Sequence, residues 1–220
     1  MLVKDRMTPR PVTVTEESGV SEALRLMHSE NVRRLPVLDK HGKMVGIVSE
    51  LDLLKVSPSP ATTLSIYEIP YLLAKIKMRD VMTKDVITVT DDTPLEEVAR
   101  IMADNKVGGI PVMRDEKLVG IITETDLFKV FLELLGGRDE GVRLSVRVPG
   151  EKGTLAKIAG AIAKRGGNIL ALGTIKGEDP TTYQVTFRVV GVPQDELVSA
   201  MEGLGLKVLD QRYCELPACD

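Results

Sequence analysis

The chain repeats itself. Residues 5–56 align with residues 80–130 with one gap at Gly42, and 21 of the 51 aligned pairs are identical. A fixed offset with that many identities means one supersecondary unit used twice. Neither unit can bury its apolar face alone, so the two copies should share one fold and pack about a pseudo-twofold axis. The identities gather in short blocks: Met7-Thr8 with Met82-Thr83, Thr13-Val14-Thr15 with Thr88-Val89-Thr90, Pro36-Val37 with Pro111-Val112, Gly46-Ile47 with Gly120-Ile121, and Asp52 with Asp126.

Within each copy the periods are legible. Val12-Thr13-Val14 and Ile87-Thr88-Val89 read as short strands. Leu95, Val98, Ala99 and Met102 recur at helical spacing, as do Val20, Ala23, Leu24 and Met27. Thr93-Pro94-Leu95-Glu96 reads as a capping box with proline at the first helical position, and Ser18 reads as the matching cap. Leu35-Pro36-Val37-Leu38 and Ile110-Pro111-Val112-Met113 read as strands, each marked by its proline as an edge or an entry point. The strands Met44–Val48 and Leu118–Ile122 follow, then a last helix. Each copy is therefore expected to be β-α-β-β-α.

A different pattern begins after Gly136-Gly137. Val142, Leu144, Val146 and Val148 alternate with polar residues, as a half-buried strand does. A helix over Leu155, Ile158, Ala159 and Ile162 ends at Gly166-Gly167. Two strands, Asn168–Ile175 and Thr181–Val190, a helix over Pro193–Glu202 and a strand from Leu206 to about Arg212 complete a βαββαβ order, the ferredoxin-like split βαβ. The expected class is α/β (α+β). The expected divisions are 1–56, a linker with a connector helix over 57–77, 78–135, 140–214 and a tail over 215–220. The linker rests on Ser57-Pro58-Ser59-Pro60-Ala61-Thr62-Thr63 and on a loose helical period through Leu64, Tyr67, Tyr71, Leu72 and Ile76.

The chemistry-bearing residues lie at the end of each repeat. Val45-Gly46-Ile47-Val48-Ser49-Glu50-Leu51-Asp52-Leu53 recurs as Val119-Gly120-Ile121-Ile122-Thr123-Glu124-Thr125-Asp126-Leu127. An apolar strand runs into a hydroxyl and, three residues on, an aspartate opens a helix. A carboxylate there can cap the helix, since an acid in the first turn helps the macrodipole by about 0.3–1 kcal/mol. It can also accept two hydrogen bonds from a vicinal diol, with the hydroxyl and the helix N–H groups suiting a phosphate. The copies differ just before the x-Pro strand: Arg33-Arg34 in the first, Gly108-Gly109 in the second. Two guanidiniums favour a phosphorylated ligand, whereas two glycines supply room and no charge, so unequal sites are expected.

Met-Thr at the start, Leu/Ile-Pro-Val in the middle and Gly-Ile-x-Ser/Thr-x-x-Asp at the end, matched twice over residues 1 to about 135, resemble a pair of CBS motifs, a Bateman module. The resemblance implies an adenosyl ligand (AMP, ADP, ATP or S-adenosylmethionine), with phosphate on Ser49 and Thr123 and the ribose diol on Asp52 and Asp126. It places adenine among apolar residues near the first strand and the x-Pro strand, for which Val12, Leu35, Ile87 and Ile110 are the candidates. The C-terminal βαββαβ unit resembles an ACT domain through Val148–Leu155 and Gly166-Gly167-Asn168-Ile169. That implies dimerisation and, through Gly153, Asn168 and Ile169, amino-acid binding. Gly150 departs from the family's Asp or Asn at that position, leaving Glu151 and Lys152 as nearby polar groups. Two CBS motifs followed by an ACT domain resemble the acetoin-utilisation B-type proteins.

Other classes find less support. There are two histidines, both in the first repeat, and no G-x-x-x-x-G-K-S/T loop, so an enzyme acting alone is not expected. Cys214 and Cys219 lack further metal-ligand partners nearby and read as two tail thiols. A net charge of −3 gives no global field for nucleic acid, and only Arg33-Arg34 and Lys75–Arg79 offer local basic patches. No apolar run approaches the roughly 18–20 residues that span a bilayer, and the start lacks a signal core, so a cytoplasmic protein is expected. The expected function is a non-catalytic sensor, a homodimer that passes nucleotide occupancy through Leu127–Leu135 to an unidentified partner. A ligand-free oligomerisation scaffold and an amino-acid sensor are the alternatives.

Overall fold

The computed structural model describes residues 1–56, 75–177 and 179–215. The chain divides into two compact units, Met1–Leu127 and Phe128–Asp220. Most of the linker and its connector helix, and Cys219 in the tail, lie outside the described residues.

In the first unit, each repeat builds its own sheet. The first repeat runs β2 (Val14–Thr15), α1 (Val20–Ser29), β3 (Arg34–Leu38), β4 (Met44–Ser49) and α2 (Glu50–Lys55). The second begins with a short α3 (Met78–Val81) and runs β5 (Val89–Thr90), α4 (Leu95–Asn105), β6 (Gly109–Arg114), β7 (Lys117–Thr123) and α5 (Glu124–Leu134). Sheet orders are β2-β3-β4 and β1-β7-β6-β5, where β1 is Thr8–Pro9. The apolar periods supply the cores. Val20, Ala23 and Met27 of α1 pack with Val14, Leu35, Val37, Val48 and Leu53. Leu95, Val98 and Met102 are the corresponding buried face of α4.

Several local expectations need correction. The first helices are capped at Gly19 and Pro94, not at Ser18 and Thr93. The Thr93 hydroxyl accepts from the Thr90 N–H instead (3.2 Å), closing the preceding turn. The β2 and β5 strands start two residues later than Val12 and Ile87, leaving those two outside the ladder. Pro36 and Pro111 lie in central strands by sheet order. They are tolerated because β2 and β5 pair only from Val37 and Val112 onward, so each proline faces a neighbour on one side alone.

The repeats exchange their Met-Thr segments. Thr8 pairs with Ile121 on β7. The counterpart Thr83 exchanges both backbone hydrogen bonds with Ile47 on β4, at 2.9 and 3.0 Å. Gly46 and Gly120 make the exchange possible. A Cβ on Gly46 would lie 2.5 Å from Met82 Sδ and 2.9 Å from the Thr83 carbonyl oxygen. A Cβ on Gly120 would lie 2.4 Å from Met7 Sδ and 3.1 Å from the Thr8 carbonyl oxygen. The repeated Met-Thr and the repeated Gly are thus two halves of one reciprocal contact.

The second unit is built from β8 (Gly141–Pro149), α6 (Thr154–Ala163), β9 (Asn168–Lys176), β10 (Thr182–Val190), α7 (Gln194–Glu202) and β11 (Lys207–Cys214). All neighbours in its β11-β8-β10-β9 sheet are antiparallel. This is the split βαβ order, and the predicted element sequence holds with ends shifted by one or two residues. Val142, Leu144, Val146 and Val148 face the helices and pack with Phe187, Ile158, Ile162, Leu197 and Met201. On the opposite face, buried Ser145 shares a 2.7 Å hydrogen bond with Thr186. Cys214 closes β11 rather than lying in a tail, and its thiol is free.

Candidate functional site

Each repeat ends in the same strand-to-helix corner, and the aspartate builds it. The Ser49 N–H and hydroxyl both donate to Asp52 Oδ2, at 3.0 and 2.6 Å. The Asp52 N–H donates back to Ser49 Oγ at 3.3 Å, which completes a capping box at the start of α2. In the second repeat the Thr123 N–H and hydroxyl donate to Asp126 Oδ2, at 2.9 and 2.7 Å. Capping and ligand binding are therefore compatible at Asp52. One carboxylate oxygen, Oδ2, takes both hydrogen bonds that fix the corner. Ser49→Ala removes the cap and is expected to cost about 0.5–2 kcal/mol of stability, read from the midpoint of urea unfolding.

The Asp52 corner opens into a cavity of about 490 Å³ within the first unit. Ser49, Asp52, Arg33, Arg34 and Ile87 all line it. Both repeats contribute, because the Thr83–Ile47 exchange brings the segment up to Ile87 alongside β4. The second repeat adds Lys106, Gly108, Gly109 and Glu124 to the lining. Lys106 holds the left-handed C-cap of α4 (φ 54°), a conformation that costs a non-glycine residue about 1–2 kcal/mol.

Arg34 is the central cation. Its guanidinium lies against Gly108 and Gly109: a Cβ on Gly108 would come within 2.3 Å of Arg34 Nη2, and one on Gly109 within 2.9 Å of Arg34 Cδ. The glycine pair is the second repeat's equivalent of the arginine pair. Its bareness admits the arginine from the first repeat. Burial lowers the Arg34 pKa, and the carboxylates of Glu124 and Asp52 oppose that shift.

The remaining sequence candidates are placed differently. Leu35 and Ile110 are wholly buried in the cores and line neither cavity described here. Val12 is half-buried and packs against the core of the first repeat. Thr123 and Asp126 hold their own corner, away from the lining of the 490 Å³ cavity. Glu124, Asp85 and Lys106 line that cavity without having been singled out. Glu124 was visible as half of the repeated Glu50/Glu124 pair, whereas Lys106 and its counterpart Asn31 share only a backbone conformation.

A second cavity, of about 330 Å³, lies in the C-terminal unit beside the β8–α6 turn. Gly150, Glu151, Gly153 and Thr154 line it, with Thr174 and Tyr183 from the sheet. Asn168, Ile169 and Lys152 do not. Gly153 is needed for its backbone (φ 84°) rather than for close approach, since nothing lies within 4 Å of a Cβ built there.

A family model described as CBS domain matches residues 3–59 and 78–133, over half of the chain. The chain belongs to the CBS domain family. Its CBS pair is 34% identical over 158 residues to protein MJ1426 of Methanocaldococcus jannaschii, covering 60% of this chain and 92% of that one. It is 31% identical to an L-aspartate semialdehyde sulfurtransferase of the same organism, covering 59% of this chain but 23% of the enzyme. Among solved structures, it is similar to the CBS pair of protein MJ0100 in complex with 5′-methylthioadenosine and S-adenosyl-L-methionine. That match has 31% identity and a TM-score of 0.50, and covers 63% of this chain and 98% of the other. A Vibrio cholerae structure designated an acetoin utilization protein (AcuB) matches with 32% identity and a TM-score of 0.51, covering 61% and 92%. Among the described residues, no helix is long and apolar enough to cross a membrane. Nor do those residues hold a group of three or more His, Cys, Asp or Glu suited to a metal ion.

Proposed function

We propose that the chain is a non-catalytic sensor whose CBS pair binds an adenosyl ligand in the Asp52 cavity. One observation carries this reading: Asp52, Ser49, Ile87 and the arginine pair, four separate sequence signals, converge on a single 490 Å³ cavity. A cavity of that size suits a nucleoside or nucleotide. Asp52 Oδ1 accepts from the ribose hydroxyls, Ile87 gives an apolar wall for adenine, and Arg34 meets the 5′ substituent. The adenosyl ligands of the MJ0100 structure support the assignment. The Asp126 corner is the second, unequal site.

The C-terminal unit acts as an ACT-like regulatory domain in a cytoplasmic homodimer. Exposed Phe128 and Phe131 on α5, 65% and 57% accessible, supply apolar surface for a second copy. Ligand occupancy shifts the population of dimer geometries, and a partner protein reads that shift. The acetoin-utilisation B-type proteins serve as a functional model, supported by the likeness to the Vibrio cholerae structure. A second reading, amino-acid sensing, rests on the 330 Å³ cavity beside Gly153.

Calorimetric titration with AMP, ADP, ATP, S-adenosylmethionine and 5′-methylthioadenosine tests the first reading. At least one should bind below the millimolar range, and a ligand at 100 times its Kd should add about 2.7 kcal/mol of stability. Millimolar or absent binding throughout the panel would leave the scaffold alternative standing.

A further inference from the structure

The charges around the Asp52 cavity do not balance in favour of a polyphosphate. Its lining holds three cations, Arg33, Arg34 and Lys106, and four carboxylates, Glu50, Asp52, Asp85 and Glu124. Asp52 holds the corner through Oδ2 and Glu50 lies 3.3 Å from His28 Nε2. Glu124 is different. It comes from the other repeat, opens α5, and shares with Arg34 the space left bare by Gly108. A Cβ there would lie 2.3 Å from Arg34 Nη2 and 2.5 Å from Glu124 Oε2. The Glu124 carboxylate is also the strongest of the charges that hold the Arg34 pKa up against its burial.

We infer that Glu124 sets the cavity's selectivity, standing as an internal counter-charge with which a ligand's phosphate must compete for Arg34. This rests on the adenosyl reading above and adds a ranking of ligands to it. Uncharged or sulfonium adenosyl compounds bring no phosphate to compete with Glu124. A 5′-monophosphate gains Arg34 only against the charge of Glu124. A triphosphate meets the excess of carboxylates as well, because like charges brought into one partly desolvated site repel. The two repeats make this possible in only one direction. The first repeat supplies the guanidinium and the second supplies the carboxylate and the bare backbone, so the arrangement cannot be duplicated in the Asp126 corner.

The experiment is a set of calorimetric titrations of the full chain with 5′-methylthioadenosine, AMP and ATP. Wild type, Glu124→Gln and Arg34→Gln are compared. For wild type, ATP should bind most weakly of the three. Glu124→Gln should tighten AMP about fivefold or more and leave 5′-methylthioadenosine within twofold. Arg34→Gln should weaken AMP by a larger factor than 5′-methylthioadenosine. Glutamine preserves size and hydrogen bonding, and matching melting curves will show that the variants fold. If 5′-methylthioadenosine binds but the AMP-to-methylthioadenosine ratio is unchanged in Glu124→Gln, the selectivity role is wrong and the adenosyl reading survives. If none of the three binds any of the proteins, both fall together.

Discussion

Gly46→Val and Gly120→Val are each expected to destabilise the CBS pair by about 2–6 kcal/mol. Overpacking a tight contact costs about 1–3 kcal/mol, and losing the hydrogen bonds behind it adds about 0.5–1.5 kcal/mol each. The clash at Gly46 is with backbone as well as side chain. Met82 Sδ can swing away, but the Thr83 carbonyl oxygen, 2.9 Å from the new Cβ, is held by its bond to the Ile47 N–H. The Thr83–Ile47 pair therefore parts, and with it the wall of the cavity that runs to Ile87. Thermal unfolding followed by circular dichroism measures the effect. Gly42→Ala is the control: Gly42 has φ 80° and open space around it, so it carries only conformational strain, about 1 kcal/mol. Equal shifts for the control and for Gly46→Val would mean that close approach across the repeats has no special cost.

The second large effect falls on binding rather than folding. Asp52→Asn keeps a carbonyl oxygen that can accept from the Ser49 N–H and hydroxyl, so the α2 corner should survive. It loses the negative charge. Hydrogen bonds to an ionised group contribute about 1.5–3 kcal/mol, so adenosyl affinity should drop about 10- to 100-fold. The melting point of the free protein should move little. Asp126→Asn is expected to leave the tighter site intact, because Asp126 does not line the 490 Å³ cavity. An equal loss from both variants would contradict the assignment of that cavity as the stronger site.

The sequence exposed much of this and hid a specific part. Helical and alternating periods are enough for α1 and β8, because each buries one face against a core made of its own neighbours, and for α4, whose Leu95, Val98 and Met102 are buried. Thr93 and Ser18 do not cap because each has a hydroxyl partner in the preceding turn, Thr90 and Thr15, that local pattern does not reveal. The β1 strand was missed because two residues carry no period. It exists only through its partner on β7, more than a hundred residues away. At the site, the repeated hydroxyl and aspartate announced themselves. The CBS resemblance points to apolar residues near the x-Pro strand for adenine, but Leu35 and Ile110 there are wholly buried, as an apolar residue in a strand covered by helices usually is. The relation of Arg34 to Gly108-Gly109 was the least legible. The two pairs were visible as a difference between the copies, but only the fold shows that one fits into the space of the other.

The most direct measurement compares adenosine with 2′-deoxyadenosine and 3′-deoxyadenosine, titrated into wild type and into Asp52→Asn. If Asp52 holds the ribose diol, removing either hydroxyl will weaken binding to wild type about tenfold or more, the charge-assisted bond being worth at least about 1.5 kcal/mol. In Asp52→Asn the three nucleosides should then bind with nearly equal, weak affinity. Discrimination that is absent from wild type, or that persists unchanged in Asp52→Asn, would contradict the assignment of the Ser49–Asp52 corner as the ribose site.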